Sequence, residues 1–273
     1  MMGCTVSDAI RFGREKISVL DAEILLAGIL KSNRAHLHAF PEKILTENEI
    51  AEYEHLCSAR QNGWPVAYLL HSQSFWTLDL EVTPDTLIPR PETELLVETA
   101  LQHVAHDGSL IADLGTGSGA IALALASERP NLRIHATDIS REALHVARKN
   151  ATRLGLSIVF HKGDWLQALP EMLFDVIVSN PPYIAAGDSH LAALQHEPQL
   201  ALVSGSDGLS AIRKIVSGSG KYLQQDGWLF IEHGFDQAKE VRNLFEKAGF
   251  IGIFTKRDLS GQERVTGGKW HER

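Results

Sequence analysis

The stretch SLIADLGTGSGA, residues 109–120, decides the fold. Ser109–Leu114 reads as a buried strand that runs straight into Gly115-Thr116-Gly117-Ser118-Gly119 and then into a helical segment, Ala120–Glu128. A strand that turns through glycines into a helix opens a β–α unit, and glycine both admits positive φ and lets a ligand approach the backbone. The spacing is G-x-G-x-G rather than the G-x-G-x-x-G of dinucleotide folds, and a plain tight turn would use the same residues. What lies on either side of it decides between the two.

Downstream, short β-branched runs alternate with helical segments. Leu132–Thr137, Ile158–His161, Phe174–Ser179 and Trp228–Glu232 read as strands, and Arg141–Leu154, Leu209–Leu223 and Gln237–Ala248 as helices. Phe250–Lys256 and Glu263–Gly267 close the chain as two strands with no helix between them. This alternation predicts an α/β fold with a doubly wound, mostly parallel sheet. The short join between the last two strands predicts one antiparallel edge strand. Before residue 80 the texture is helical, through Val6–Phe12, Leu20–Leu30 and Ile44–Ala59, with Thr46 and Glu49 forming a capping-box signature. Pro84, Pro89 and Pro91 mark an extended stretch. The expected organisation is a helical domain over 1–80, a connecting segment over 81–108 and an α/β domain over 109–273.

Composition sets the outer limits. Of 273 residues, 44% are hydrophobic and 22% charged, which excludes disordered, collagenous and coiled-coil classes. Lys and Arg number 26 against 34 Asp and Glu, a net charge of −8 that argues against a protein tracking nucleic-acid backbone over its whole surface. Residues 1–80 carry seven basic and ten acidic side chains and no basic stripe. No apolar run approaches the roughly 18 residues of a membrane span. The N-terminus lacks the pattern of a signal peptide, so a soluble cytoplasmic protein is expected, with Cys4 and Cys57 as reduced thiols. Thirteen histidines include the pairs His36/His38 and His103/His106, but neither has further ligands at suitable spacing, so no metal is expected. Ser72, Ser74 and Ser118 lack the Gly-x-Ser-x-Gly elbow of a serine hydrolase.

Two features turn the glycine loop into a candidate site. Asp138 ends the second strand, 23 residues after Gly115, where a carboxylate can accept both hydroxyls of a ribose. Ser140 is at hand to cap the next helix, which frees Asp138 from that task. Asp113 is expected to support the loop, and Asp164-Trp165, after the third strand, to bracket an adenine, although a lone tryptophan packs as readily. The most specific motif is Asn180-Pro181-Pro182-Tyr183, directly after Phe174–Ser179. Two prolines fix φ and donate no N–H, leaving carbonyls that only accept. With the Asn180 oxygen they suit an –NH₂ group, and Tyr183 suits a flat conjugated one.

The loop D-L-G-T-G-S-G-A, the acid at Asp138 and N-P-P-Y resemble a class I S-adenosylmethionine-dependent methyltransferase acting on a planar nitrogen. R-x-x-G-x-P-x-A-Y-L at Arg60–Leu69, L-I-P-R-P-E-T-E at Leu87–Glu94, H-E-P-x-x-A-L at His196–Leu202 and D-L-x-G-x-E-R-V at Asp258–Val265 narrow the likeness. Together they resemble the HemK/PrmC family, the N5-glutamine methyltransferases of peptide chain release factors, over essentially the full chain. The resemblance implies S-adenosyl-L-methionine as cofactor, class I release factors as partners and a helical N-terminal domain that recognises them. It also implies cofactor contacts from Gly115, Thr116, Gly117, Ser118, Gly119, Asp138, Trp165 and Asn180. The glutamine of a Gly-Gly-Gln motif would bind at Asn180, Pro181, Pro182 and Tyr183, with Asn180, Pro181 and Tyr183 carrying the chemistry. His71 stands where the family more usually has glycine, which leaves the local hinge geometry open. A ribosomal-protein glutamine methyltransferase and a nucleic-acid exocyclic-amine methyltransferase are the rival readings, the latter opposed by the acidic composition. A non-enzymatic binding scaffold would not need the complete amine-holding tetrapeptide.

Overall fold

The computed structural model describes residues 3–271. By its internal contacts the chain divides into two units, Met1–Ser72 and Gln73–Arg273. The first is helical, with α1 (Val6–Arg14), α2 (Val19–Ile29), α3 (Arg34–Ala39), α4 (Glu47–Gln61) and α5 (Val66–Leu69). Thr5 with Asp8 and Thr46 with Glu49 are complete capping boxes that satisfy the first free N–H groups of α1 and α4. Gly13 lets α1 approach its neighbours, since an added Cβ would lie 2.1 Å from Tyr53 Oη and 2.9 Å from Ala22 Cβ. Among the described residues no helix is long and apolar enough to cross a membrane.

The second unit opens with a small sheet of β1 (Ser72–Phe75) and β2 (Leu78–Glu81), followed by α6 (Glu94–His103). Then come β3 (Leu110–Leu114), α7 (Ala120–Glu128), β4 (Arg133–Asp138), α8 (Arg141–Leu154), β5 (Val159–Lys162) and β6 (Phe174–Ser179). The chain ends through α9 (Ser210–Ser219), β7 (Leu223–Glu232), α10 (Ala238–Ala248), β8 (Ile251–Arg257) and β9 (Glu263–Lys269). Seven strands form one sheet in the order β5-β4-β3-β6-β7-β9-β8. The chain steps outward from β3 to β5 and then returns to lay β6 on the other side of β3. That reversal is the switch point at which doubly wound sheets open a crevice. Strand β3 is buried along its whole length, as an apolar run covered on both faces must be. One apolar layer gathers around α6 and α7 and a second around α9 and α10.

The structure differs from the sequence reading at four points. The antiparallel strand is β9, and it lies one place in from the edge, paired with both β7 and β8. Two consecutive strands joined by a tight turn must be antiparallel, but their composition does not say which of them inserts against β7. The helix expected over 209–223 stops at Ser219, and β7 begins at Leu223, earlier than expected. Residues between Leu223 and Trp228 leave the pairing with β6 as an irregularity, which hides the strand start behind a polar run. The units meet at Ser72/Gln73 rather than at residue 80. The stretch 81–108 is more than a connector, because Leu96, Val97 and Ala100 of α6 are core residues.

One buried side chain joins the small sheet to the glycine loop. Asn150 on α8 is wholly buried and accepts from the Glu81 N–H at 2.7 Å. Its Nδ2 donates to the Glu81 carbonyl at 2.9 Å and to the Ser118 carbonyl at 3.0 Å. Asn150→Ala would remove three hydrogen bonds and leave the buried Ser118 carbonyl without this partner, a loss of about 2–4 kcal/mol. The urea midpoint of unfolding should fall accordingly, and an unchanged midpoint would remove Asn150 from this role.

Candidate active site

Each parallel strand of the sheet hands over a polar or flexible segment at its carboxyl end. Gly115 follows β3, Asp138 ends β4, Asp164 follows β5, Asn180 follows β6 and Glu232 ends β7. A cavity of about 500 Å³ opens at this edge, lined by Gly115, Gly117, Asp138, Trp165, Asn180 and Pro182. Residues 84–87, Lys214 of α9 and a strip between Pro198 and Gly205 complete its wall. That strip is held by a bridge in which the Ile184 N–H donates to Leu202 O and the Ser204 N–H to Ile184 O, each at 2.9 Å.

The glycine loop is fastened to β4. Gly115 and Thr116 donate their N–H groups to Thr137 O at 2.8 and 2.9 Å. The Gly117 N–H donates to Asp138 Oδ2 at 2.9 Å, and the Ser140 N–H to Oδ1 at 2.8 Å. Ser140 also caps α8 by accepting from the Ala143 N–H. Burial raises the Asp138 carboxyl above the usual range, and the N–H groups of Ser140, Gly117 and Ile139 act against it. Gly115 and Gly117 have φ of 74° and 57°, the left-handed region that favours glycine. At Gly117 an added Cβ would meet nothing within 4 Å, so its backbone is open to a ligand. Thr116, Ser118 and Gly119 serve the loop itself and do not line the cavity. The Thr116 hydroxyl donates to Asp113 Oδ2 at 2.6 Å, the Ser118 carbonyl is held by Asn150, and Gly119 is the left-handed N-cap of α7. Asp113 sits fully buried behind the loop, where desolvation pushes its carboxyl up to about 7.

Trp165 lies over the loop, since a Cβ at Gly115 would stand 2.6 Å from its ring. Its own φ is 48°, uncommon for a bulky residue and held here by its surroundings. Asp164 lines the cavity beside it, with its carboxylate paired to Lys214. Across the cavity, Asn180 Nδ2 donates to Thr93 Oγ1 at 3.0 Å. Pro182 lines the cavity, whereas Pro181 is buried and Tyr183 half-buried, and neither lines it. The Tyr183 carbonyl accepts from Gln237 Nε2 at 2.9 Å, and an added Cβ at Gly208 would come within 2.2 Å of that oxygen. Burial raises the Tyr183 hydroxyl well above its usual range, so it stays protonated.

Sequence reasoning missed Thr93, Glu197, Lys214 and Glu232. The motifs at Leu87–Glu94 and His196–Leu202 contain two of them, but a motif does not reveal its partner. Glu197, largely buried, accepts from the Ile88 N–H at 3.1 Å and pairs with Arg90, which locks the two motifs together. Among the described residues no group of three or more metal-ligating side chains is present.

Comparisons with known proteins bear on the fold and the family. Residues 91–199 match the model of the Methyltransferase small domain, and residues 11–70 that of the PrmC N-terminal domain. The hMettl16 catalytic domain, solved with a MAT2A 3′UTR hairpin, shares the fold with a TM-score of 0.59 at 16% identity over 83% of each chain. A methyltransferase from Pyrococcus furiosus gives a TM-score of 0.56 at 18% identity, covering 83% of this chain and 100% of that one. Much nearer in sequence is the release factor glutamine methyltransferase of Coxiella burnetii, 49% identical over 90% of both chains. Those of Pseudomonas aeruginosa and Vibrio cholerae are 49% and 43% identical over 92% and 98% of both chains. With identity of this order over nearly the whole chain, matched N-terminal and methyltransferase segments, and Asn180 and Pro182 sharing one cavity edge with the glycine loop, the chain belongs to the release factor glutamine methyltransferase family.

Proposed function

We propose that this chain transfers a methyl group from S-adenosyl-L-methionine to the side-chain amide nitrogen (N5) of the glutamine in the Gly-Gly-Gln motif of peptide chain release factors. The observation that carries the reading is the shared cavity edge of Asn180 and Pro182 with Gly115, Gly117 and Asp138. The residues fit the donor. Gly117 offers open backbone, Asp138 keeps lone pairs beyond its two N–H partners, and Trp165 and Ile139 give an apolar wall for a flat ring. A volume of about 500 Å³ lies within the range of small-molecule sites. When bound, S-adenosyl-L-methionine supplies a methyl group on a sulfonium, already activated for displacement.

The protein's task is alignment, because an amide nitrogen is a poor nucleophile whose lone pair is delocalised into its carbonyl. Asn180 gives its Nδ2 to Thr93, so its Oδ1 is left to accept an amide hydrogen from the target. The Pro181 carbonyl is the second acceptor. Both contacts strengthen as positive charge develops on nitrogen, which stabilises the transition state above the ground state. Tyr183, held through its carbonyl by Gln237, is the platform against the amide plane. The helical unit would recognise the protein substrate, and a cytoplasmic location suits both the free cysteines and this partner.

Methylation of purified release factor, with DNA and RNA as parallel substrates, tests the reading; transfer to nucleic acid alone would overturn it. Asn180→Ala should cut turnover about 10²-fold at saturating cofactor, the cost of losing one preorganised acceptor. Near-normal turnover would remove Asn180 from the chemistry. Asp138→Ala should weaken S-adenosyl-L-methionine binding roughly 10- to 100-fold by calorimetry, since charge-assisted hydrogen bonds contribute about 1.5–3 kcal/mol. Unchanged affinity in the folded variant would contradict the ribose role. A chain beginning at Gln73, which keeps β2 and α6, should retain cofactor binding and lose methylation of intact release factor. Full activity of that shortened chain would show that the helical unit does not recognise the substrate.

A further inference from the structure

Two of the four residues in Asn180-Pro181-Pro182-Tyr183 have no N–H, so the segment cannot be fastened along its length by its own main-chain donors. Its front end is fixed by strand β6 and by Asn180 Nδ2 on Thr93 Oγ1. Behind the prolines the hold must come from outside, to a carbonyl. Gln237 supplies it: its Nε2 donates to Tyr183 O at 2.9 Å, and its Oε1 accepts from the Gly234 N–H at 2.9 Å. Both partners are backbone groups of fixed polarity, so the amide cannot be turned end for end. The Gln237 N–H in turn donates to Gly234 O at 3.0 Å, which closes the turn after β7 around the same residue. Gly208, with φ of 74°, walls the contact, since an added Cβ would lie 2.2 Å from Tyr183 O and 2.7 Å from Gln237 Nε2.

We propose that Gln237 is a positioning residue of the methyl transfer, which clamps the rear of the acceptor tetrapeptide to the turn after β7 and so holds the Pro181 carbonyl and Tyr183 in place relative to Asn180. This rests on the reading of that tetrapeptide as the seat of the target amide. Gln237 is the N-cap of α10, a place where helices prefer Ser, Thr, Asp or Asn to satisfy their free N–H groups. Its side chain makes no such cap. It is turned back to Gly234 and Tyr183 instead, so capping of the helix does not account for it. Nor does contact with a ligand, because neither Gln237 nor Gly208 lines the cavity. What remains is the tie itself, between the exit of β6 and the exit of β7. Such a tie bears on rate, because a small misplacement is costly in a step where the protein's main contribution is alignment.

Gln237→Ser removes the clamp while placing a preferred residue at the start of α10, which separates positioning from mere support of the fold. The thermal midpoint should stay within about 3 °C of wild type while kcat falls about 10-fold. Affinity for S-adenosyl-L-methionine by calorimetry and KM for release factor should be unchanged. Gln237→Glu keeps the acceptor for the Gly234 N–H and loses the donor to Tyr183 O, so it should lower kcat at least as far. In the protein without substrate, hydrogen exchange of the Ile184 N–H, which donates to Leu202 O directly after Tyr183, should quicken in both variants, with the amides of α7 unaffected. A kcat near wild type in Gln237→Glu, or a kcat that falls only together with cofactor affinity or thermal midpoint, would overturn the proposal. Wild-type protein that leaves release factor unmethylated would instead overturn the functional reading, with the exchange of Ile184 still deciding the clamp.

Discussion

Leu114 and Ser179 stand side by side at the ends of two central parallel strands, and the serine hydroxyl donates to the leucine carbonyl at 2.7 Å. Everything chemical in the molecule depends on this pairing. The two residues are 65 positions apart, yet the glycine loop leaves from one and Asn-Pro-Pro-Tyr from the other. A slip of one residue would turn every side chain of β6 to the opposite face and carry the tetrapeptide out of reach of the loop. The register is secure because both strands are almost wholly buried, so each misplacement would bury or expose the wrong set.

The motifs are held by groups that do not touch the cavity. Asp113 anchors Thr116, Asn150 carries the Ser118 carbonyl, and Glu197 fastens the loop before α6. Asp113 and Glu232 are both fully buried carboxyls, and desolvation pushes each to about 7. Burying such groups is costly unless they are hydrogen-bonded, so their presence beneath the two motifs is a cost in stability accepted for position. The glycine loop can then be open on its ligand side and rigid on the other. The same division explains why only Gly115 and Gly117 of the loop line the cavity.

Much of the fold was legible because its signals are local. Ala120–Glu128, Arg141–Leu154 and Phe174–Ser179 have the bounds their periodicity predicts, and the capping box at Thr46 opens its helix as read. Gly115, Gly117, Asp138, Trp165 and Asn180 come to one cavity for a related reason: each lies at or just beyond the end of a strand, and parallel strands all deliver their ends to one edge. The α6 segment was not legible as core, since the prolines ahead of it, Pro84, Pro89 and Pro91, suggest an extended chain and its apolar positions find their cover only in the sheet. That Thr116 turns its hydroxyl to Asp113 and Ser118 its carbonyl to Asn150 is not written in the loop itself, because a loop group's direction depends on what is buried behind it.

The sequence by itself determined the β–α alternation, the glycine turn, the acid at the end of β4 and the acceptor-only tetrapeptide, because each is a property of a few adjacent residues. The tertiary structure alone decided that β6 returns beside β3, that β9 inserts between β7 and β8, and that Thr93 backs Asn180. Those outcomes rest on packing between segments up to about a hundred residues apart. No local pattern records which buried hydroxyl will meet Asn180.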